Sequence, residues 1–359
     1  MSVIKLKKIC LTLNKLDRGG AEMRILKLLN DLERLNVKAE FYLFIMSGEQ
    51  GTLTSDYLKN AKIKIIYGKK GVKGLNDFSK KIKLLNPDIL HLNASMAAGI
   101  YAMIAKINGI EKIYSHLRTS EHYGSGFLYY SKQKIFSILM NIFSDKVIGV
   151  CDGARKISKT NIKKWKTIYN GIEVNEISNS NYKKFSLICI GRQNIAKNQP
   201  FLVEVVKELK NIYPEIDWKL DFYGREDPII MSELKNKVNS YNLEECISFC
   251  GETRDPLNTI SNYHLLLLPS IREGLPGVVL EALSVGVECV VSDLDGCREI
   301  ADKIPYVKIL EHYEEKQWAT VIYETCSNIA NRSVIIDSLY NSPFNNSFHI
   351  KNMRDLWEI

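Results

Sequence analysis

Short apolar runs of strand length alternate with segments of helical period along most of this chain. That alternation restricts the fold more than any other feature. Lys8–Leu13 has strand length, Asp17–Gly20 is a glycine-containing loop, and Ala21, Ile25, Leu28, Leu29 and Leu32 then recur at helical spacing. Val37–Ile45, Ile63–Ile66, Ile89–Leu92, Lys112–Ser115 and Lys146–Val150 continue the strand series, with helical segments at Leu75–Leu85, Met96–Ile107 and Phe127–Phe143. A second series starts at Phe185–Ile190 and runs through Trp218–Tyr223, Cys246–Phe249, Tyr263–Leu268 and Val287–Ser292. Strands separated by helices predict parallel, doubly wound sheets. Leu265–Leu268, apolar at every position, suits a strand buried on both faces.

The chain has 359 residues, enough for two domains at roughly 100–200 residues each. The polar, aperiodic stretch Glu173–Lys184 reads as the linker. The expectation is therefore an α/β protein of two Rossmann-like halves, residues 1–172 and 173–344, with a helix over 345–359 packing back on the first. Open parallel sheets bind ligands outside the carboxyl ends of their strands, so the loops there, facing a cleft between the halves, are where chemistry is sought.

Composition narrows the function classes. No apolar run reaches the ~18–20 residues of a membrane span, and the start of the sequence has no secretory h-region, so a cytoplasmic protein is expected. Residues 1–180 carry 30 Lys and Arg against 15 Asp and Glu, whereas residues 181–359 carry 19 against 26. A basic first half suits an anionic partner, or lysine used for solubility. The scarcity of Arg–aromatic clusters argues against nucleic acid. Lys132 and Lys134 lie within the apolar segment Gly124–Asp145, which fits either a core helix or one lying on an anionic membrane surface. The eight cysteines lack zinc spacing and read as core residues.

Four loops carry candidate chemistry. After Leu265–Leu268 comes Arg272-Glu273-Gly274-Leu275-Pro276, and then a helix start containing Glu281. Its backbone N–H groups suit phosphate or sugar hydroxyls, and its two carboxylates suit vicinal hydroxyls. A capping Glu273 and a solvated Glu281 are the alternative. After Phe185–Ile190, Arg192 and Lys197 can converge on a diphosphate, or be two exposed surface cations. Gly19 and Gly20 permit close approach of the backbone to a ligand, or simply make a turn. His116 lies near a strand's carboxyl end, with His122 a competing candidate.

The pair Glu273 and Glu281, eight residues apart around Gly274-Leu275-Pro276, resembles the E-x7-E signature of family 4 retaining glycosyltransferases, which have the GT-B fold. Gly191-Arg192 through Lys197 is similar to that family's diphosphate motif, and Gly19-Gly20-Ala21-Glu22 to its first-domain glycine loop. The resemblance implies Glu281 on the ribose, Glu273 on the donor sugar, and the backbone of Gly274, Leu275 and Pro276 on sugar hydroxyls or phosphate. It likewise implies Arg192 and Lys197 on the diphosphate, Gly19 and Gly20 toward donor phosphates, and His116 beside the reacting carbon. Softer matches are Ile168-Tyr169-Asn170-Gly171 and the strand ends at Gly224 and Gly251.

The implied activity is transfer, with retention, of a sugar from a nucleotide-sugar, a UDP-sugar by expectation. The implied acceptor is a saccharide carried on polyprenyl diphosphate in bacterial surface-polysaccharide synthesis. No cofactor and no metal are expected, since Arg192, Lys197 and helix N-termini would neutralise the leaving diphosphate. A GT-B epimerase and a noncatalytic nucleotide-sugar-binding partner stay open, whereas a retaining glycosidase would need no nucleotide loop.

Overall fold

A computed structural model describes residues 6–119, 124, 126–174 and 182–359. The chain divides into two compact units, Met1–Gly171 with Ser347–Ile359, and Ile172–Asn346. Residues 175–181 of the expected linker, and His122, lie outside the described residues.

The first unit is built on strands β1 (Lys7–Leu13), β2 (Ala39–Ile45), β3 (Ile63–Tyr67), β4 (Ile89–Leu92), β5 (Lys112–Leu117), β6 (Lys146–Gly149) and β7 (Trp165–Thr167). They form one parallel sheet in the order β3-β2-β1-β4-β5-β6-β7. The second unit holds β8 (Ser186–Ile190), β9 (Lys219–Tyr223), β10 (Ile247–Gly251), β11 (Leu265–Leu268), β12 (Glu288–Ser292) and β13 (Val307–Leu310). These are also all parallel, in the order β10-β9-β8-β11-β12-β13. In each sheet the order reverses beside the first strand, β1 or β8. Two strands flank it on opposite sides there, and the loops they leave from are splayed apart.

Hydrophobic pattern places the elements. All four leucines of β11 are buried, as expected for a strand covered on both faces. The helix Gly20–Arg34 buries Ile25, Leu28, Leu29 and Leu32 on one face. The last helix, Asn346–Trp357, returns to the first unit, where Trp357 is fully buried with its ring centroid 5.8 Å from that of Phe41. Seven cysteines are buried and Cys250 is exposed. Burial pushes the thiols of Cys10, Cys189 and Cys326 up to about 12, as befits small hydrophobes rather than nucleophiles.

Two strands are absent from the sequence reading, β7 and β13. Trp165-Lys166-Thr167 is too short and polar to stand out, and β13 carries Lys308 in its middle. The helix Phe127–Phe143 corrects the core-helix alternative: it buries Ser137 and Met140, while Phe127 and Leu128 are each 84% exposed. It packs on the helix Ala98–Ile107 through Gly99, where an added Cβ would lie 2.1 Å from the Phe136 carbonyl oxygen. Gly99→Ala should therefore push two backbones apart and destabilise the protein by about 1–3 kcal/mol, the usual cost of overpacking. Denaturant unfolding checks this; an unchanged midpoint would mean the two helices separate without loss.

Candidate active site

The carboxyl ends of β8, β9 and β10 are laced together by glycines. Gly191 N–H donates to Tyr223 O at 2.9 Å and Gly224 N–H to Gly251 O at 2.7 Å. A Cβ on Gly224 would lie 2.0 Å from Gly191 O, so nothing larger than glycine fits between these loops. Beyond Gly191, Gln193 is buried; its N–H donates to Arg225 O at 3.0 Å and its Oε1 accepts from Asp227 N–H at 3.1 Å. The Asn194 side chain caps the short turn Ile195–Lys197 by accepting from Lys197 N–H at 3.1 Å. The turn is thus fixed at both ends, and it presents Lys197.

Lys197 Nζ donates to Glu273 Oε1 at 2.6 Å. The same oxygen accepts from Ser270 Oγ at 2.7 Å. The side chains are 21% and 15% exposed, so the pair is partly screened by solvent. Ser270 is itself buried, and its carbonyl accepts from Tyr313 Oη at 2.7 Å and from Ser292 Oγ. The structure thereby joins two predicted residues, Lys197 and Glu273, from loops on neighbouring strands. Arg192, on the first of these loops, is exposed and has no bonded partner among the described residues.

The loop after β11 continues through Gly274, with Leu275 and Pro276 buried, and Pro276 then caps the helix Gly277–Ser284. Glu281 is half-buried on that helix, and its backbone oxygen accepts from Ser284 Oγ at 2.8 Å. Sequence reasoning missed what holds this loop. A Cβ on Gly296, in the helix Asp295–Ala301, would lie 1.8 Å from Gly274 O and 3.1 Å from Leu275 Cα. Ser270, Ser292 and Tyr313 were missed as well; short polar residues after strands are the one hint the sequence offers.

In the first unit, Gly19 and Gly20 follow β1. A Cβ on Gly19 would lie 2.4 Å from Glu22 Oε2, so the carboxylate folds back over that glycine, while the space beside Gly20 is open to 4 Å. Burial pushes the Glu22 carboxyl up, opposed by its own backbone N–H and by the charge of Arg118. Arg118, just past β5, donates through Nε and Nη2 to Asn93 Oδ1 at 3.0 and 2.9 Å, and through Nη1 to Asn170 Oδ1 at 3.1 Å. Burial lowers the pKa of this guanidinium to about 10, with Glu22 and Tyr57 opposing. His116 lies inside β5 rather than in the loop after it, fully buried, with Nδ1 3.0 Å from His91 Nε2. Burial, aided by Arg118 and His91, holds its pKa well below 6.5.

Comparison with known proteins gives this arrangement a family. Residues 184–328 match the family model described as glycosyl transferases group 1. The chain is 30% identical over 332 residues to the capsular polysaccharide biosynthesis glycosyltransferase CapH of Staphylococcus aureus, covering 89% of this chain and 91% of that one. It is 24% identical to the Escherichia coli UDP-Gal:alpha-D-GlcNAc-diphosphoundecaprenol alpha-1,3-galactosyltransferase, over 77% of this chain and 79% of the other. Its fold is similar to that of Anabaena HepE, solved in complex with UDP, at 16% identity and a TM-score of 0.80, covering 98% of this chain and all of that one. The chain belongs to the group 1 glycosyltransferases, with the two parallel-sheet units of the GT-B fold.

Gly296→Ala should displace Gly274 and Leu275 and destabilise the protein by about 1–3 kcal/mol, the usual cost of overpacking. Denaturant unfolding measures this. A wild-type midpoint in the variant would show that the loop can yield at Gly274 without consequence.

Proposed function

We propose that this protein is a retaining, metal-independent glycosyltransferase that moves a sugar from a UDP-sugar to a saccharide carried on polyprenyl diphosphate, in bacterial surface-polysaccharide synthesis. The observation that carries the reading is the Lys197–Glu273 pair at 2.6 Å, where the sheet order reverses. A lysine and a glutamate held there, with Arg192 on the same loop as the lysine, suit a diphosphate and a sugar hydroxyl respectively. The acceptor and pathway draw support from the capsule and diphosphoundecaprenol chemistry named for the relatives.

In this reading the second unit binds the donor. Arg192 and Lys197 neutralise the diphosphate, so Lys197 exchanges Glu273 for a phosphate when the donor arrives. Glu273, freed in turn, accepts from hydroxyls of the sugar, which the backbone of Gly274, Leu275 and Pro276 also contacts. Glu281 accepts from the ribose. The first unit supplies Gly19 and Gly20 to the phosphates and His116 to the sugar. The leaving diphosphate is stabilised by fixed cations and helix N-termini, which makes a metal unnecessary. A front-face attack, with a donor phosphate oxygen taking the acceptor proton, preserves anomeric configuration.

Glu273→Gln keeps the acceptor for Ser270 but removes the charge. It should lower kcat/KM by about 10²–10³, the usual cost of one misplaced electrostatic partner, and Lys197→Ala should act similarly. Both variants should still unfold cooperatively. Wild-type turnover in either variant, measured with a lipid-linked acceptor and excess EDTA, would remove the pair from the mechanism. UDP-sugar at ~100 times its dissociation constant should add ~2.7 kcal/mol of stability, and a thermal-shift panel against GDP- and ADP-sugars tests the base.

The site of action in this reading is the inner face of the cytoplasmic membrane. Among the described residues no helix is long and apolar enough to cross a membrane. The helix Phe127–Phe143 instead exposes Phe127, Leu128, Ile135, Ile138 and Ile142 beside Lys132 and Lys134, a composition suited to an anionic interface. Co-sedimentation with anionic vesicles at low salt is expected, and should fall steeply in the double variant Phe127→Ser, Leu128→Ser. Equal sedimentation of that variant would place any membrane contact elsewhere.

A further inference from the structure

In the first unit a chain of hydrogen bonds runs from the last helix to His116, and its direction can be read from chemistry. An indole N–H only donates. Trp357 Nε1 lies 3.1 Å from His91 Nδ1, so that nitrogen accepts, and the proton of neutral His91 sits on Nε2. His91 Nε2 lies 3.0 Å from His116 Nδ1, so His116 also accepts at Nδ1 and carries its proton on Nε2. Both rings are neutral at physiological pH, since burial takes His91 to about 3 and His116 well below 6.5. His349 stands apart from this chain, with Nδ1 2.7 Å from Tyr169 O.

The chain ends on a donor with nothing to receive it. His116 Nε2 is buried without a partner among the described residues. Asn93 ends the same way: its Oδ1 is taken by two Arg118 bonds, and its Nδ2 is buried and unpartnered. An orphaned buried donor forfeits its bond to water and gains none in return, and folded proteins keep few of them. Two occur here, one on His116 within β5 and one on Asn93, the residue just past the neighbouring strand β4. A cost retained twice at one place points to an arriving group rich in lone pairs, such as a hydroxyl or phosphate oxygen.

We propose that Trp357 and His91 are positioning residues that hold His116 as its Nε2–H tautomer, so that His116 acts on the substrate as a hydrogen-bond donor and never as a base. This rests on the glycosyltransferase reading above. Because an acceptor-only Nδ1 is secured from the far side, the donor at Nε2 needs no reorganisation when substrate binds.

Long-range ¹H–¹⁵N spectra of the full chain with labelled histidines read the tautomers directly. The wild type should show His91 and His116 both protonated at Nε2; His116 protonated at Nδ1 overturns the proposal without any variant. Trp357→Phe keeps an aromatic ring in the core while removing the N–H together with part of the indole's volume. It should introduce the Nδ1–H form at His116 and lower kcat by about tenfold, part of what losing one oxyanion donor costs, with donor KM changed less than twofold. Unchanged spectra or unchanged kcat in that variant overturns it. A wild-type chain that transfers no sugar sinks the functional reading instead, while the spectra still decide the tautomer.

Discussion

Lys197 and Glu273 are 76 residues apart in sequence and 2.6 Å apart in space, and the loops at the carboxyl ends of the second sheet are arranged around that contact. The two residues meet because β8 and β11 are neighbours in a parallel sheet whose order reverses there. A parallel sheet sends every strand's carboxyl end the same way, so loops distant in sequence open side by side. The glycines Gly191 and Gly224 then let adjoining loops touch, and Gly296 lets a third element support the carbonyl of Gly274. A Cβ on Gly224 or Gly296 would lie within 3 Å of another loop's backbone, and Gly224 also holds a φ of 137° that side chains disfavour.

The same topological rule operates in the first unit. Gly19 and Gly20 follow β1, Asn93 follows β4 and Arg118 follows β5, three strands adjacent in the sheet. There the Arg118 guanidinium is held by the side-chain oxygens of Asn93 and Asn170, and the histidines by neutral hydrogen bonds. The contrast is physical. A partly exposed pair can exchange one partner for an arriving anion at modest cost, because each ion is still partly solvated. The buried histidines have no such latitude; their protonation is set by burial and their tautomers by what they touch.

Legibility from sequence followed the range of the interactions involved. The apolar strands β1, β4 and β11 and the helix Gly20–Arg34 announce themselves within a few residues, because burial on one or two faces imposes a local period. The loop Arg272–Glu281 was readable because its backbone, glycine and carboxylates are consecutive. β7 and β13 escaped because three- and four-residue strands containing lysine have too few positions to show alternation. The helix Phe127–Phe143 was ambiguous because its composition is apolar on most sides, and only packing shows which face stays outside. His116 was picked out as a lone histidine, but its meaning depends on His91, 25 residues away, and that of His91 on Trp357, 266 residues away. No local pattern encodes such contacts.

That last distance bears on how the first unit is assembled. Its sheet is made by residues up to Gly171, yet Trp357 fills its core against Phe41 and supplies the proton that orients His91. A second unit of its own sheet and core is therefore inserted within the first. Without the segment from Ser347 onward, the first unit lacks Trp357, and His91 Nδ1 has no donor. Packing of Trp357 and the tautomer of His91 are therefore linked. Trp357, which fills the core, also donates to His91 Nδ1 at 3.1 Å, and the burial that stabilises the fold is the same burial that keeps the histidines neutral.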